Sequence, residues 1–188
     1  MDAALKEGLY DNYIGMNTKS AALLGQRGQF EEAEKNMNNA FGYLEKTNNI
    51  LIKAGYYNIL GTINYFKGDL NKSKEGYEKF LEISERGGIF VNVGRGKINL
   101  GMIQMMQGNM KEAENNYIEG IEILKKAKEL LTLGQGYMQL GNLYFMTKKY
   151  KSAKKMYLKR LAIAKKFGDR QGEAYCLGNL GNLVKTTG

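Results

Sequence analysis

Hydrophobic residues recur along this chain at the spacing of amphipathic helices, and no segment alternates strictly between apolar and polar residues. Apolar residues three and four positions apart mark one face of a helix, whereas strict alternation marks a strand. The pattern predicts nine helices near residues 4–27, 30–46, 50–67, 70–86, 90–107, 110–128, 130–147, 150–167 and 170–186. Because the predicted linkers are only a few residues long, successive helices must pair antiparallel. We therefore expect an all-α chain.

The helical pattern repeats with a period of 40 residues. Three series of positions follow it: a glycine after a leucine at Gly61, Gly101, Gly141 and Gly181; a small residue at Ala33, Ser73, Ala113 and Ala153; and a large residue at Met37, Tyr77, Tyr117 and Tyr157. A fixed period of this length indicates a repeat protein in which each unit packs on its neighbours. We expect the small residues to let paired helices approach closely, and the large residue to fill the space between repeats.

The turns follow the same period. Glycine recurs at positions 28, 68, 108 and 188, and Lys148 occupies the equivalent place in the fourth repeat. Glycine readily adopts the left-handed conformation that ends many helices. Asp69, directly after Gly68, is predicted to accept a hydrogen bond from the first turn of the following helix.

The composition argues against catalysis. The chain contains no histidine, so the commonest metal ligand and general base is missing, and Cys176 is its only cysteine. The glycine-rich run 94–97 follows no predicted strand, which excludes a phosphate-binding loop. We expect no enzyme activity, no metal and no cofactor. A single cysteine, with no apolar run of roughly 18 residues and no signal peptide, favours a cytoplasmic location.

The order of small and large residues within each unit resembles the signature of tetratricopeptide repeats, although the usual period is about 34 residues. The last third of the chain is similar to the Pins-type, or LGN, repeats of G-protein-signalling modulators. That resemblance rests on Leu140-Gly141-Asn142, on residues 161–174, and on Leu177-Gly178-Asn179-Leu180-Gly181-Asn182. Repeats of the kinesin-light-chain type have a similar length and stay open as relatives. Over residues 1–130 the resemblance is only to the general repeat.

The resemblance implies a right-handed α-solenoid superhelix of about four and a half repeats. The repeats are expected at 8–47, 48–87, 88–127 and 128–167, with a partial repeat at 168–188, in a single domain over 1–188 that is a fragment of a longer array. In this family the first helix of each pair lines a concave groove that holds a partner segment. The sequence therefore predicts a protein-binding scaffold.

Transferring the family's groove positions gives several rows of side chains. The rows are Gly15, Gly55, Arg95 and Gln135; Thr18, Asn58, Ile98 and Met138; Ala22, Thr62, Met102, Asn142 and Asn182; and the pairs Tyr65–Phe66, Met105–Met106 and Phe145–Met146. From these rows and from Asn179 we select a partner-binding set: Asn58, Phe66, Arg95, Met102, Met106, Met138, Asn142, Met146, Asn179 and Asn182.

Two chemistries are combined in this set. The asparagines resemble a ladder that holds a partner's backbone, because an amide offers both a donor and an acceptor. The alternative is that Asn179 bonds to a neighbouring helix. The methionines and aromatics suit an adaptable apolar surface, although Tyr65, Met105 and Phe145 fit the core equally well. Arg95 would pair with a partner carboxylate, and for Lys97 a solvated helix end is the favoured reading.

The net charge of +9 is concentrated in one part of the chain. Residues 148–170 contain ten basic residues and one acidic residue, Asp169. A basic surface formed by Lys151, Lys155, Lys159 and Lys166 suggests an alternative function, docking on a tubulin tail, an anionic membrane or another polyanion. A solvated helix face explains the same lysines. Nucleic acid is disfavoured because no aromatic residues interleave with the lysines.

A third alternative is an architectural subunit of a larger assembly. Leu177, Leu180, Leu183 and Val184 recur at helical spacing in the last predicted helix. A solenoid end needs a polar cap, so these apolar residues suggest self-association or a longer array. Association with the cytoskeleton is the alternative to a free cytoplasmic protein.

Overall fold

The computed structural model describes the backbone of residues 3–187 and the side chains of residues 6–187. Within this range the chain forms nine α-helices, one short 3-10 helix and no strands. The helices are α1 Ala3–Gln26, α2 Phe30–Phe41, α3 Ile50–Lys67, α4 Leu70–Arg86, α5 Phe90–Met106, α6 Met110–Lys126, α7 Leu130–Met146, α8 Tyr150–Phe167 and α9 Arg170–Thr187. The predicted number and order of helices are confirmed.

The second helix differs from the prediction. It ends at Phe41, and a separate 3-10 turn covers Leu44–Lys46, although the periodicity predicts one helix to residue 46. The cause is a contact distant in sequence. The buried hydroxyl of Thr47 donates to Asp11 on α1, and the Asn49 side chain donates to the same carboxylate at 2.8 Å. The chain has to leave the helix to reach Asp11.

The repeated turns have the predicted conformation. Gly68 has a φ of +82° and Gly108 one of +85°, both in the left-handed region. Lys148 adopts a φ of +59° at the equivalent position, so the turn is retained where the side chain disfavours it. Asp69 caps α4 by accepting a hydrogen bond of 3.0 Å from the Lys72 backbone N–H, as predicted.

The helices fall into two compact units, the first extending to Asn92 and the second beginning at Val93. The first unit contains α1 to α4 around a buried cluster that includes Ile14, Met37 and Ile63. In the second unit, Ala153, Tyr157 and Leu183 form a buried cluster where α7, α8 and α9 meet, and Cys176 on α9 is fully buried. The prediction of one domain over residues 1–188 stays a prediction.

The close approach of paired helices at the periodic glycines is confirmed. A methyl group added at Gly61, Gly101 or Gly141 would lie 2.7, 2.8 and 2.6 Å from the ring of Tyr77, Tyr117 and Tyr157, respectively. Each buried tyrosine thus packs on the first helix of its own repeat. In the first repeat, Ala21 stands at the glycine position and Met37 at the tyrosine position, and both are buried in one cluster. Alanine is larger than glycine, and the methionine side chain is slimmer than a tyrosine ring. At Gly181 an added methyl group would meet nothing within 4 Å.

Candidate functional site

Two neighbouring first helices, α1 and α3, enclose an open groove of about 530 Å³ in the first unit. Five predicted groove positions lie together in its lining: Gly15, Thr18, Ala22, Gly55 and Asn58. Leu23 and Leu51, which the sequence analysis did not select, form exposed apolar walls of this groove. Because these two leucines are exposed, an apolar surface is available to a ligand.

Hydrogen bonds order the polar side chains near this groove. The Thr18 hydroxyl donates to the carbonyl of Ile14 at 2.9 Å. The Thr62 hydroxyl lies 2.8 Å from the carbonyl of Asn58 and 3.2 Å from the phenol oxygen of Tyr77. The buried tyrosine of this repeat therefore reaches the predicted groove row with its hydroxyl group, while its ring remains in the core.

In the second unit, an amide cluster joins α7, α8 and α9. The Asn142 Oδ1 accepts a hydrogen bond of 3.0 Å from the Tyr157 hydroxyl and one of 3.4 Å from Asn179 Nδ2. The same Asn179 nitrogen lies 3.5 Å from the Met138 sulfur. The alternative that Asn179 bonds to a neighbouring helix is therefore the arrangement observed. Burial raises the pKa of Tyr157 to about 12, so this hydroxyl stays protonated and continues to donate.

The amide cluster leaves one group available. Within residues 6–187, the side-chain NH₂ of Asn142 makes no hydrogen bond, although its oxygen accepts two. Asn182, one helical turn beyond Asn179, is exposed. The cluster therefore orients one amide donor whose partner is not supplied by the described part of the chain.

The predicted apolar stripe divides into an exposed and a half-buried part. Phe66, Met106 and Met146, which are 40 residues apart, are 46%, 50% and 56% exposed. The remaining members are half-buried: Tyr65, Met102, Met105, Met138 and Phe145. The outer residue of each pair is thus available for contact, and the inner residues mainly pack within the protein.

Two predictions around α5 need revision. Ile98 was expected in the groove, but it is only 5% exposed, and a methyl group added at Gly120 or Gly136 would collide with it. Close packing of these glycine-containing helices encloses the isoleucine. Lys97 does not end in solvent but forms an ion pair of 2.9 Å with Glu119 on α6. Arg95 is half-buried, and its pairing with a partner carboxylate stays a prediction.

The predicted basic surface lies on α8. Lys151, Lys155 and Lys166 are exposed, and Lys159 places its ammonium group 5.1 Å from the centre of the Tyr137 ring. Burial lowers the pKa of Lys159, and the neighbouring charges of Lys155 and Lys125 lower it further. A shallow depression of about 460 Å³ is lined by four of the lysines on this helix, and none of the residues described in its lining is acidic.

Arg160, from the same basic stretch, has a structural role instead. Its guanidinium group forms an ion pair with Asp169. Asp169 also caps α9, since its carboxylate accepts a hydrogen bond of 2.9 Å from the Gly172 backbone N–H. Arg160 therefore links α8 to the start of α9.

A larger groove of about 740 Å³ lies between α8 and α9. The sequence pointed to the α9 side through Leu180, Leu183 and Val184, and the structure places all three in the lining, with Leu183 itself buried. The α8 side, which includes Tyr150 and Leu158, was missed. The signal that could have revealed this side is Leu158, an apolar residue among lysines whose side chain is 47% exposed.

Among residues 3–187, none of the helices combines the length and apolar character that a membrane span requires.

Comparison with family models identifies tetratricopeptide repeats in two stretches, residues 54–86 and residues 92–166. No curated protein sequence matches the chain significantly. The two matched stretches include helices α4, α6 and α7 in full.

Several solved structures share the fold. BtubC (BKLC) from P. vanneervenii is 19% identical with a TM-score of 0.68, and the match covers 99% of this chain and 92% of that one. RapI in its apo form is 20% identical with a TM-score of 0.78, over 93% and 67%. A Podosopora anserina putative kinesin light chain with nearly identical TPR-like repeats is 15% identical with a TM-score of 0.67, over 94% and 97%.

At such identities these similarities establish the fold and not the activity. They agree with the all-α architecture and so confirm the predicted fold class. The chain is therefore built from tetratricopeptide repeats.

Proposed function

We propose that this protein is a non-catalytic scaffold that binds a segment of a partner protein along the exposed faces of its first helices. The observation that carries the proposal is the groove between α1 and α3, where five predicted positions line one open space. A groove with apolar walls suits an extended or helical peptide segment.

The lining of the α1–α3 groove favours a peptide over a small ligand. Gly15, Ala22 and Gly55 bring no long side chain to the lining, so the backbone of a bound segment can approach closely at these positions. The exposed Leu23 and Leu51 would lose water on binding, and each Å² of apolar surface removed from water contributes roughly 25 cal/mol.

In the second unit the amide cluster offers a polar group that could bind the backbone of a partner segment. Tyr157 and Asn179 hold the oxygen of Asn142, which keeps the NH₂ group of that amide in one orientation. A preoriented donor loses little entropy when it binds a peptide carbonyl. The Pins-type resemblance of residues 140–182 supports the same role for Asn142 and Asn182, and the exposed Met106 and Met146 supply apolar contact.

The scaffold proposal can be tested with peptides selected from a displayed random library on the intact protein. The blocking variant is Gly55→Phe, because Gly55 lines the groove and a methyl group added there meets nothing within 4 Å, so the larger side chain is expected to fill the groove. We expect at least a tenfold loss of affinity for groove-binding peptides, or about 1.4 kcal/mol. The matched control is Gly8→Phe on the same unit, at another glycine with free space around it.

A second blocking variant addresses the second unit. Asn182→Ala removes an exposed amide at no cost to the core, and peptides bound through the asparagines should lose affinity. Selected peptides that bind Gly55→Phe, Gly8→Phe and Asn182→Ala with the same affinity would contradict the proposal.

Docking on a polyanion is the second candidate function, favoured by the depression on α8, where four lysines and no acidic residue of the described part of the chain form the lining. Its test is the binding of poly-glutamate at two salt concentrations, since each released counterion steepens the salt dependence. The double variant Lys151→Glu and Lys155→Glu should abolish binding, while Asn182→Ala should not affect it. Binding that is insensitive to salt would rule this function out.

A further inference from the structure

One face of α8 carries lysines that have no acidic partner. This lysine face consists of the residues that line the depression of about 460 Å³, namely Lys151, Lys154, Lys155, Leu158, Lys159 and Ala162. Lys151, Lys154 and Lys155 are exposed. Within residues 6–187 no lysine of this face forms an ion pair. The positive charge of the face is therefore not neutralised by the described part of the chain.

The equivalent face of α6 shows what a following pair of helices leaves uncovered. The positions 40 residues before Lys151, Lys155, Leu158, Lys159 and Ala162 are Lys111, Asn115, Ile118, Glu119 and Glu122. All five are exposed, although α7 and α8 follow α6. Only Lys154 corresponds to a residue that the next repeat contacts, since Glu114 pairs with Lys149 at 2.9 Å. A further repeat packed in the same way would leave the other five members of the lysine face exposed.

The charges on this face differ between the third and fourth repeats. On α6, Glu119 forms an ion pair of 2.9 Å with Lys97 of α5. Lys159 stands at the position of Glu119, and Tyr137 stands at the position of Lys97. The ammonium group of Lys159 lies 5.1 Å from the centre of the Tyr137 ring. The fourth repeat thus replaces an ion pair with a cation over an aromatic ring, and it lacks the carboxylate.

A depression of about 520 Å³ at the same repeat position on α4 provides a contrast. It is lined by Glu75, Glu78, Lys79 and Glu82. Lys79 pairs with Glu82 at 3.0 Å, and Glu78 pairs with Lys74 at 3.6 Å. A mixture of both charges is sufficient for a solvated surface. The single sign of charge on α8 therefore indicates an anionic ligand.

Leu158 distinguishes between classes of anionic ligand. Its side chain is 47% exposed and shares the depression with the four lysines. Nucleic acid offers phosphates but no aliphatic side chain, and membrane binding requires a wider apolar face than Leu158 and Ala162 provide. A protein segment that combines carboxylates with aliphatic side chains matches both the charge and the leucine.

We propose that the lysine face of α8 binds an acidic amphipathic helix of a partner protein. Lys151, Lys155 and Lys159 recur at every fourth residue, and a helix that runs along α8 offers carboxylates at the same spacing. One of its aliphatic side chains packs on Leu158. This inference rests on the second candidate function, docking on a polyanion, and specifies the class of polyanion.

The probe is a fluorescent peptide that repeats Leu-Glu-Ala-Glu-Leu-Ala-Glu, so that a helix has leucines on one face and glutamates on both sides of it. Fluorescence anisotropy with the full chain should show saturable binding. A copy with alanine in place of every leucine keeps the charge and the helix. It should bind roughly tenfold more weakly, because it buries less apolar surface on Leu158. Equal affinity of the two peptides would overturn the proposal.

Matched variants on α8 and α6 locate the site. Leu158→Ala should lower the affinity of the leucine peptide roughly tenfold, whereas Ile118→Ala, at the equivalent residue that is 41% exposed, should leave it unchanged. Lys151→Glu and Lys111→Glu change the net charge equally at equivalent exposed positions. Only Lys151→Glu should weaken the peptide. Equal effects within either pair would refute the site on α8.

Poly-glutamate separates this inference from the function on which it rests. If poly-glutamate binds with salt dependence but Leu158→Ala does not weaken the leucine peptide, docking on a polyanion stands and the amphipathic helix is wrong. If neither ligand binds, both are wrong. Tighter binding of a single-stranded oligonucleotide, or of vesicles of phosphatidylcholine and phosphatidylserine, would overturn the proposal in favour of that ligand.

Light scattering of the protein alone tests a second copy as the occupant. A dimer that Lys151→Glu dissociates would overturn the proposal, and a monomer at low salt supports it.

Discussion

Gly141 on α7 and Gly181 on α9 occupy equivalent positions in the repeat, but within residues 6–187 only Gly141 meets a side chain of another helix. Tyr157 of α8 lies against Gly141 of α7, whereas the groove between α8 and α9 is open and no described atom lies within 4 Å of a methyl group added at Gly181. Identical sequence signatures thus have different physical consequences. Gly141 is required by a ring that touches it, while nothing within the described residues requires Gly181.

The difference shows that the glycine of the repeat pattern does not make the same contact in every repeat. Glycine inside a helix is less favourable than alanine by roughly 0.5–1 kcal/mol. At Gly141 close packing with Tyr157 offsets this cost. At Gly181 no packing within the described residues offsets this cost.

The largest effect on the free energy of unfolding is expected when the Tyr157 ring is removed from its contact with Gly141. Tyr157→Ala removes a buried ring that is 2% exposed, and such truncations lower the free energy of unfolding by about 3–5 kcal/mol. Urea denaturation measures the loss. The control is Tyr175→Ala on α9, where the ring is 61% exposed and the change should stay within about 0.5 kcal/mol. Similar losses for both variants would mean that the contact between Tyr157 and Gly141 is not a distinct source of stability.

Alanine at the two equivalent glycines should act in opposite directions. Gly141→Ala forces a methyl group to 2.6 Å from the Tyr157 ring, and overpacking of this kind costs about 1–3 kcal/mol. Gly181→Ala meets no atom and should raise the free energy of unfolding by about 0.5–1 kcal/mol. Thermal and urea denaturation of both variants measures the contrast. A destabilised Gly181→Ala would show that the α8–α9 groove is not open in solution.

A smaller gain in the free energy of unfolding is expected at the turn that contains Lys148. Lys148 has a left-handed φ of +59°, which a side chain disfavours by roughly 1–2 kcal/mol, while glycine loses more freedom on folding. We expect Lys148→Gly to increase the free energy of unfolding by about 0.5–1 kcal/mol. The control Lys151→Gly lies inside α8 and should instead cost about 1 kcal/mol. Loss of stability in both variants would show that the left-handed turn is not strained.

The smallest expected effect is on the free energy of unfolding at low pH. The hydrogen bond from the Gly172 N–H, and then the interaction with Arg160, lower the pKa of Asp169 below its usual value of 3.8. A lowered pKa in the folded state means that this stabilisation is complete above about pH 4 and is lost as the pH falls through the folded-state pKa. Urea denaturation between pH 7 and pH 3 should therefore show a smaller acid-induced loss for Asp169→Asn. If Asp169→Asn lost as much stability between pH 7 and pH 3 as the unchanged protein, the result would contradict the role of Asp169 as the cap of α9.

Most of the fold could be predicted because it depends on local patterns. The start of α4 follows from Asp69, the turns follow from the glycine series, and the helix pairs follow from short linkers. The end of α2 could not be predicted in this way. It depends on a hydrogen bond between Thr47 and Asp11, which are 36 positions apart, and periodicity carries no information about such a contact.

The candidate sites were less accessible to sequence reasoning. The groove positions of α1 and α3 were predicted together because they occupy the same place in successive repeats. Ile98 occupies that place too, but the neighbouring glycines allow the helices to enclose it. The α8 wall of the open groove was missed because Leu158 lies among lysines, and the charge pattern alone suggests a solvated face. Whether a repeat position is buried depends on its neighbours across the groove.

The burial of Cys176 has a consequence for measuring how α9 moves. This thiol is the only one in the sequence, it is fully buried, and burial also raises its pKa, which keeps it in the unreactive protonated form. A thiol reagent can therefore label the folded protein only when α9 separates from α8. The labelling rate then reports the free energy of that local opening. A ligand that stabilises the packing of α9 on α8 should slow the reaction, so the labelling rate of this one thiol measures how firmly α9 is held.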